Sequence, residues 1–373
     1  MEKSLILKEI FNEKKNIMVT GGSGFIGSCL IRKLLKDTNH LIFNLDVMNY
    51  SSDESSIKDF LKNKKSNFSE RYKLLKVDLS NKLETKNAIK AANPDMIFHL
   101  AAESHVDRSI DDPSSFIYSN IVGTYNLLES ALDHYEKLNI ERSNSFRFHH
   151  ISTDEVFGSL ENDDLFNELT RYDPRSPYSA SKASSDHLVN AWHHTYGLPT
   201  VMTNCTNNYG PWQFPEKLIP NVILKSITGE DIPLYGDGSN IRDWLFVDDH
   251  VDALLIAAFK GKVGSQYCIG SNQEKTNKEV IDLICETLDE LIPKKESYKK
   301  QIKLVTDRPG HDNRYAIDPS FFVNSLEWKH KYSFSDGLRI TINWYLENLE
   351  WCKFIMKASG YDGKRLGTRK KII

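Results

Sequence analysis

The chain has 373 residues, 40% of them hydrophobic and 27% charged, a composition suited to one large or two smaller globular domains. Its formal net charge of −3 gives no overall pull toward nucleic acid or an anionic membrane. No apolar run reaches the roughly 20 residues of a membrane span, and the charged opening MEKSLILKEIFNEKK is unlike a secretory signal.

Strand-like apolar runs over 15–20, 41–46, 72–77, 96–102, 146–153 and 199–205 alternate with helix-length segments such as 25–35 and 83–92. That alternation predicts an α/β protein with a Rossmann-type doubly wound parallel sheet, whose ligands sit at the carboxyl ends of the strands. Residues 50–70, rich in Ser, Lys, Asn and Asp, read as a polar connection. Beyond about residue 206, Pro and Gly punctuate the pattern at 210–211, 215, 220 and 236–238, and helical spacing returns at 276–291 and 333–354. The expected layout is a dinucleotide domain over 1–206, with 240–270 returning to it. A smaller, partly interleaved substrate domain is expected from 207–239 and 271–355, followed by a tail over 356–373. Basic runs at 294–300 and 364–371 read as solvated surface. The five cysteines, Cys29, Cys205, Cys268, Cys285 and Cys352, are scattered singly, so reduced thiols, a cytoplasmic location and no metal site are expected.

The first strand runs straight into a glycine loop with Gly21, Gly24 and Gly27, and a helix starts behind it. Glycine permits the tight turn and a close approach of backbone N–H groups to a pyrophosphate, which the helix N-terminus favours. Asp46, ending the second strand, is placed to accept from a ribose diol, and an acid there repels a 2'-phosphate, so NAD is expected rather than NADP. Phe25 and Ile26 in the loop, Asp78 and Leu79 after the third strand, and Leu100, Ala101 and Ala102 after the fourth complete the expected cofactor set. Asp78 reads equally well as a surface turn residue.

Residues 178–182 spell TyrSerAlaSerLys at the start of a helix expected to reach residue 196, which puts Tyr178 and Lys182 on one face. An ammonium beside a phenol of pKa ~10 favours the phenolate, and the pair can then take a proton from a sugar hydroxyl. The stretch SerThrAspGluValPheGly (152–158) sets Asp154 beside Glu155 where the fifth strand should end. Two neighbouring carboxylates at a ligand edge suit one acid and one base, because like charges this close do not both ionise readily.

GlyGlySerGlyPheIleGly, HisLeuAlaAlaGluSerHisValAspArgSer (99–109), SerThrAspGluValPheGly, TyrSerAlaSerLys, AsnAsnTyrGlyProTrpGlnPheProGluLysLeuIlePro (207–220), ArgAspTrp (242–244) and ArgProGlyHisAsp (308–312) follow in order. Together they resemble the nucleotide-sugar 4,6-dehydratases of the extended short-chain dehydrogenase/reductase family, from residue 16 to about residue 352. The resemblance implies a lyase that oxidises a nucleotide-diphosphoglucose at carbon 4 with tightly held NAD, eliminates water across carbons 5 and 6, and reduces carbon 6. It implies that Glu155 removes the carbon 5 proton, that Asp154 donates to the departing hydroxyl, and that Thr153 contacts the carbon 4 oxygen.

For the substrate the resemblance implies Arg242, Arg308 and His311 at the diphosphate, and Ser104, Asn207, Lys217, Leu218, Pro220, Tyr235 and Asn277 around the rest. It also implies a homodimer packed through the helices near 113–135 and 178–196, and dTDP-glucose as substrate with UDP-glucose as rival. Two departures stand out. Val47 follows Asp46 where the family often has lysine, and the segment 49–71 is longer and more polar than expected. A sugar 4-epimerase would use Tyr178 and Lys182 but needs no acid pair, and a non-catalytic dinucleotide-binding protein would use neither.

Overall fold

In the computed structural model of the protein, residues 13–62, 67–161, 163–307, 311–363 and 366–367 are described. The first of them build β1 (Asn16–Thr20), α1 (Phe25–Asp37), β2 (Leu41–Asp46), α2 (Ser55–Leu61), β3 (Tyr72–Lys76), α3 (Lys82–Ala92) and β4 (Met96–His99). The segment 49–71 is therefore not all connection. Ile57 carries α2 into the core, and Phe60 stacks on Phe68 at 4.8 Å, so a few apolar anchors suffice to order a polar stretch. The fourth strand stops at His99 rather than at Ala102. Beyond it, Leu100 donates its N–H to Thr20 O and Ala101 donates to Thr20 Oγ1, which ties the chain to the end of β1.

The chain continues through α4 (Val106–Asp111), α5 (Pro113–Phe116), a π-helical turn (Ile117–Val122), α6 (Gly123–Tyr135), β5 (Arg147–Thr153), α7 (Pro177–Tyr196), β6 (Thr200–Cys205) and β7 (Asn207–Tyr209). There follow α8 (Leu218–Thr228), β8 (Ile232–Tyr235), β9 (Ile241–Phe246), α9 (Val247–Lys260), β10 (Gln266–Ile269), β11 (Glu274–Thr276) and α10 (Asn277–Leu291). Last come β12 (Ile302–Val305), β13 (Arg314–Tyr315), α11 (Phe334–Glu347) and α12 (Leu349–Ser359). The helical run expected over 333–354 is thus two helices, because Asn348 at φ −121° leaves helical geometry and its N–H closes on Tyr345 O.

Seven strands form the main sheet in the order β10-β6-β5-β4-β1-β2-β3, with β3, β2, β1, β4 and β5 paired in parallel. The order reverses between β1 and β4, the switch point at which open α/β sheets receive ligands. Strands covered on both faces read as continuous apolar runs, which is why they were visible in the sequence.

Two compact units divide the chain. One holds the described residues up to Thr153, with Pro177–Asn204 and Val251–Tyr267. Its core joins Met18, Ile97 and Phe148 of the sheet to Leu127, Leu128 and Trp192 of α6 and α7. The other holds Asp154–Ser176, Cys205–His250 and the described residues from Cys268 onward. There β9 pairs with β7, β11 and β13, while α8, α10 and α11 pack Ile223, Ile284 and Ile342 into a separate core. The five cysteines are all buried.

Candidate active site

At the switch point the backbone itself demands glycine. Gly21 lies at φ +68°, and a Cβ on it would stand 2.7 Å from Ala101 N; a Cβ on Gly27 would stand 2.2 Å from Gly21 O. A Cβ on Gly24 would meet only Gly21 O within 4 Å, at 3.3 Å. Gly24 caps α1 without a side-chain hydrogen bond, so Phe25, Ile26 and Gly27 present the first-turn N–H groups that a helix leaves without intrahelical partners. A glycine cradle beside an uncapped helix start fits a dinucleotide pyrophosphate.

Asp46 is buried against this loop. Its Oδ2 accepts from Ser23 N at 2.9 Å, and its Oδ1 accepts from Met48 N at 2.8 Å and Ser52 Oγ at 2.7 Å. A carboxylate offers about four acceptor sites, so Asp46 keeps capacity for one further hydroxyl donor. Val47 is 40% exposed, and the chain beyond it is latched by Asn49 donating to Glu103 Oε1 at 2.7 Å and by the Arg108 guanidinium 3.8 Å from the Tyr50 ring centroid. Asp78 is exposed and accepts from Ser80 N, whereas Leu79 is buried in the core and its carbonyl accepts from Asn126 and Thr85. Leu100, Ala101 and Ala102 line the exit from β4 half-buried, and Ser104 is exposed.

Helix α7 begins at Pro177, where proline's preset φ suits a first helical turn, and ends at Gly197 in a left-handed conformation with its N–H on His193 O. Its buried face carries Tyr178, Ser181, Lys182, Ser185, Asp186, Val189 and Trp192. Lys182 Nζ donates to Ile151 O at 2.9 Å, which ties α7 to β5. Tyr178 packs edge-on against Phe116 with ring centroids 6.3 Å apart.

The sequence reading missed the polar network beneath this helix. The π-helical turn delivers Asn120, which accepts from Glu103 N at 2.8 Å and donates to Ser181 Oγ at 2.8 Å. Ser181 Oγ in turn donates to Tyr178 O at 2.7 Å. His150 Nε2 lies 3.0 Å from Asp186 Oδ1, and Ser152 Oγ donates to Asp186 Oδ2 at 2.8 Å. Burial, reinforced by the Lys182 ammonium, lowers His150 to about 4 against the pull of Asp186, and His99 is lowered by burial and by its neighbours His150 and Lys182. Nothing in sequence spacing announces a π turn. An acid four residues beyond Lys182 on the same buried face was the available signal for Asp186.

Thr153 closes β5, and Asp154 and Glu155 follow it in a short 3-10 turn. Their surroundings differ. Asp154 is 2% exposed and Glu155 is half-buried. Within the second unit, burial and then the Glu155 charge push Tyr315 upward, while burial followed by the Glu168 and Asp154 charges does the same to Cys268. The Arg242 guanidinium lies 4.2 Å from the Tyr315 ring centroid, and its terminal nitrogens donate to the carbonyls of Ile241, Asp312 and Asn313. Glu155, Tyr315 and Arg242 are therefore electrostatic neighbours.

Asn207 opens β7 opposite Trp244 of β9, two residues beyond Arg242, and Asn277 follows β11 with its N–H on Asn240 O. Lys217 caps α8, Leu218 begins it, Pro220 is buried in its first turn, and Tyr235 ends β8, on which α8 packs. His311 Nδ1 is 2.7 Å from Asp307 Oδ1. Arg308 lies outside the described residues.

A family model described as GDP-mannose 4,6 dehydratase matches residues 18–341. The chain belongs to this dehydratase family. It is 50% identical over 355 residues to dTDP-glucose 4,6-dehydratase 1 of Escherichia coli (strain K12), covering 93% of this chain and 96% of that one. It is 48% identical over 361 residues to the dTDP-glucose 4,6-dehydratase of Neisseria meningitidis serogroup B, covering 95% and 100%. Among solved structures, DesIV (dTDP-glucose 4,6-dehydratase) from Streptomyces venezuelae, crystallised with NAD bound, superposes with a TM-score of 0.81 at 36% identity over 91% of this chain and 99% of that one. The UDP-glucose 4-epimerase of Thermus thermophilus superposes with a TM-score of 0.76 at 25% identity over 89% and 99%. The dehydratase's fold is thus shared with an epimerase.

Proposed function

We propose that the protein is an NAD-dependent lyase that converts dTDP-glucose to the 4-keto-6-deoxy sugar nucleotide and water. The observation that carries this reading is the Asp154–Glu155 pair at the end of β5, on a chain whose helix α7 presents Tyr178 and Lys182. NAD would be held by Gly21, Gly24, Phe25, Ile26, Gly27 and Asp46 with Leu100, Ala101 and Ala102 alongside, and would supply the reversible two-electron oxidation by which carbon 4 gives up hydrogen and carbon 6 takes it back. Tyr178, its phenolate favoured by Lys182, takes the carbon 4 hydroxyl proton while Thr153 contacts that oxygen. Glu155, the more accessible acid, removes the carbon 5 proton that the new ketone has acidified and returns a proton to carbon 5 as carbon 6 is reduced. Asp154 donates its proton to the carbon 6 hydroxyl, which departs as water; a carboxyl group out of water is cheaper neutral than charged.

Within this reading the second unit supplies most of the substrate-binding residues. Arg242, Arg308 and His311 receive the diphosphate, for which guanidinium forks are suited. Ser104, Asn207, Lys217, Leu218, Pro220, Tyr235 and Asn277 surround the remainder, and Asp78 and Leu79 border the adenine. Substrate carrying deuterium at carbon 4 is expected to yield product carrying it at carbon 6, and label kept at carbon 4 of an epimer would sink the assignment. Run with both sugar nucleotides, which differ by the base methyl and the ribose 2'-hydroxyl, the same assay is expected to favour dTDP-glucose over UDP-glucose by at least roughly fivefold in kcat/KM, the worth of the buried methyl alone at about 1 kcal/mol.

The protein acts as a cytoplasmic homodimer in this proposal. Ile117, Tyr118, Tyr125 and Tyr196 expose apolar surface on the π turn, α6 and α7, with Tyr118 at 63%. Sedimentation at micromolar concentration is expected to give the mass of two chains, and a single-chain mass would remove the dimer from the proposal. Singly scattered thiols suit a reducing compartment, and among the described residues no helix is long and apolar enough to cross a membrane.

A further inference from the structure

The last four residues of β5 are each gripped from α7 or β6. His150 Nε2 meets Asp186 Oδ1 at 3.0 Å, Ile151 O accepts from Lys182 Nζ at 2.9 Å, Ser152 Oγ donates to Asp186 Oδ2 at 2.8 Å, and Thr153 O accepts from Asn204 Nδ2 at 3.0 Å. Asn204 Nδ2 also stands 3.4 Å from Asp186 Oδ2. Asp186 is therefore the common acceptor of three donors, and both it and His150 have fully buried side chains. His150 Nδ1 is buried without a hydrogen-bond partner among the described residues, which assigns the ring proton to Nε2, facing Asp186.

We propose that Asp186 is a positioning residue of the dehydration: its carboxylate fixes the end of β5, from which Asp154 and Glu155 follow, to the helix that carries Tyr178 and Lys182. A carboxylate suits the post because it only accepts. An amide there keeps one oxygen and turns an N–H₂ donor toward the Ser152 hydroxyl or the His150 N–H. The Ser152 hydroxyl can turn to accept only by giving up its own buried acceptor, and the His150 N–H cannot accept at all, so the network rearranges locally. Helix α7 is braced by its own backbone ladder, so the strand end is the side that yields. Misplacement of about 1 Å costs on the order of a hundredfold in rate. Elimination, which uses the two residues leaving the strand, is slowed more than oxidation, which uses the helix.

The inference rests on the dehydratase reading, and its test is built to fail separately from it. Asp186→Asn is expected to lower kcat by about tenfold to a hundredfold with KM for dTDP-glucose within about twofold of wild type. The deuterium isotope effect on kcat is expected to rise for substrate labelled at carbon 5 and to fall toward unity for substrate labelled at carbon 4. In the ligand-free protein, amide exchange is expected to accelerate over residues 150–157 and to remain unchanged in α7.

Ser152→Ala, which removes one donor and no charge, is expected to give the same pattern at smaller size, and it stands as the deciding variant if Asp186→Asn does not fold. A wild-type kcat and isotope pattern in the folded variants would overturn the proposal, as would a carbon 4 effect that grows. A wild-type protein that turns over no sugar nucleotide overturns the dehydratase reading instead, and the exchange measurement still decides whether Asp186 holds the strand.

Discussion

Replacing Asp154 by Asn and Glu155 by Gln in one protein is expected to lower kcat for dTDP-glucose by about 10⁴-fold, the upper range for a positioned acid or base. Each single change is expected to cost about 10²-fold to 10³-fold, and the two losses are not additive, because the acid and the base serve one elimination. The amides keep the shape of the side chains but neither accept the carbon 5 proton nor deliver one to the leaving hydroxyl. Affinity for the sugar nucleotide is expected to stay within about threefold, since the diphosphate is assigned to guanidinium groups and not to these acids. Steady-state kinetics with equilibrium dialysis reads both quantities. Turnover within tenfold of wild type would remove the acid pair from the mechanism, and with it the feature that separates this chain from an epimerase of the same fold.

That pair was legible because it breaks a rule: two acids where a strand covered on both faces comes to its end. The glycine loop and Asp46 were legible for a similar reason, since backbone crowding at the switch point leaves Gly21 and Gly27 no alternative residue. What the sequence did not disclose depends on partners far along the chain. The π turn exists where Asn120 finds Glu103 and Ser181, and neither partner is local. Helix α2 forms in a segment that composition marks as polar, because Ile57 and Phe60 have something to pack against. Arg242 was visible as a cation by its motif, but its grip on three backbone carbonyls and on the Tyr315 ring follows from β13 lying beside β9, which spacing does not encode. Asp186 was overlooked as an ordinary helical acid, although a charged residue on the face shared by Tyr178 and Lys182 needs buried donors to persist.

Buried histidines set the second large expectation: the fold is lost abruptly on mild acidification. Burial lowers His40 and His150 to about 4 and His250 to about 3, and His99 moves the same way. In the unfolded chain each returns to about 6.5. Below that value the unfolded state binds more protons than the native one, so stability falls as pH falls. The loss begins near pH 6.5 and continues to about pH 4, where the native rings themselves protonate. Each ring contributes about 1.4 kcal/mol per pH unit in this window, so His40, His150 and His250 together remove about 6 kcal/mol by pH 5, comparable with the whole stability of a typical domain, and His99 adds in the same direction.

Urea unfolding at pH 7, 6 and 5.5 is expected to show this steep decline, and a stability independent of pH over that range would contradict it. His250 isolates one contribution, because both of its ring nitrogens are buried without a hydrogen-bond partner among the described residues. His250→Leu is expected to keep stability at pH 7, since an apolar side chain replaces an unsatisfied polar one. It is also expected to reduce the loss between pH 7 and pH 5 by about 2 kcal/mol, one ring's share.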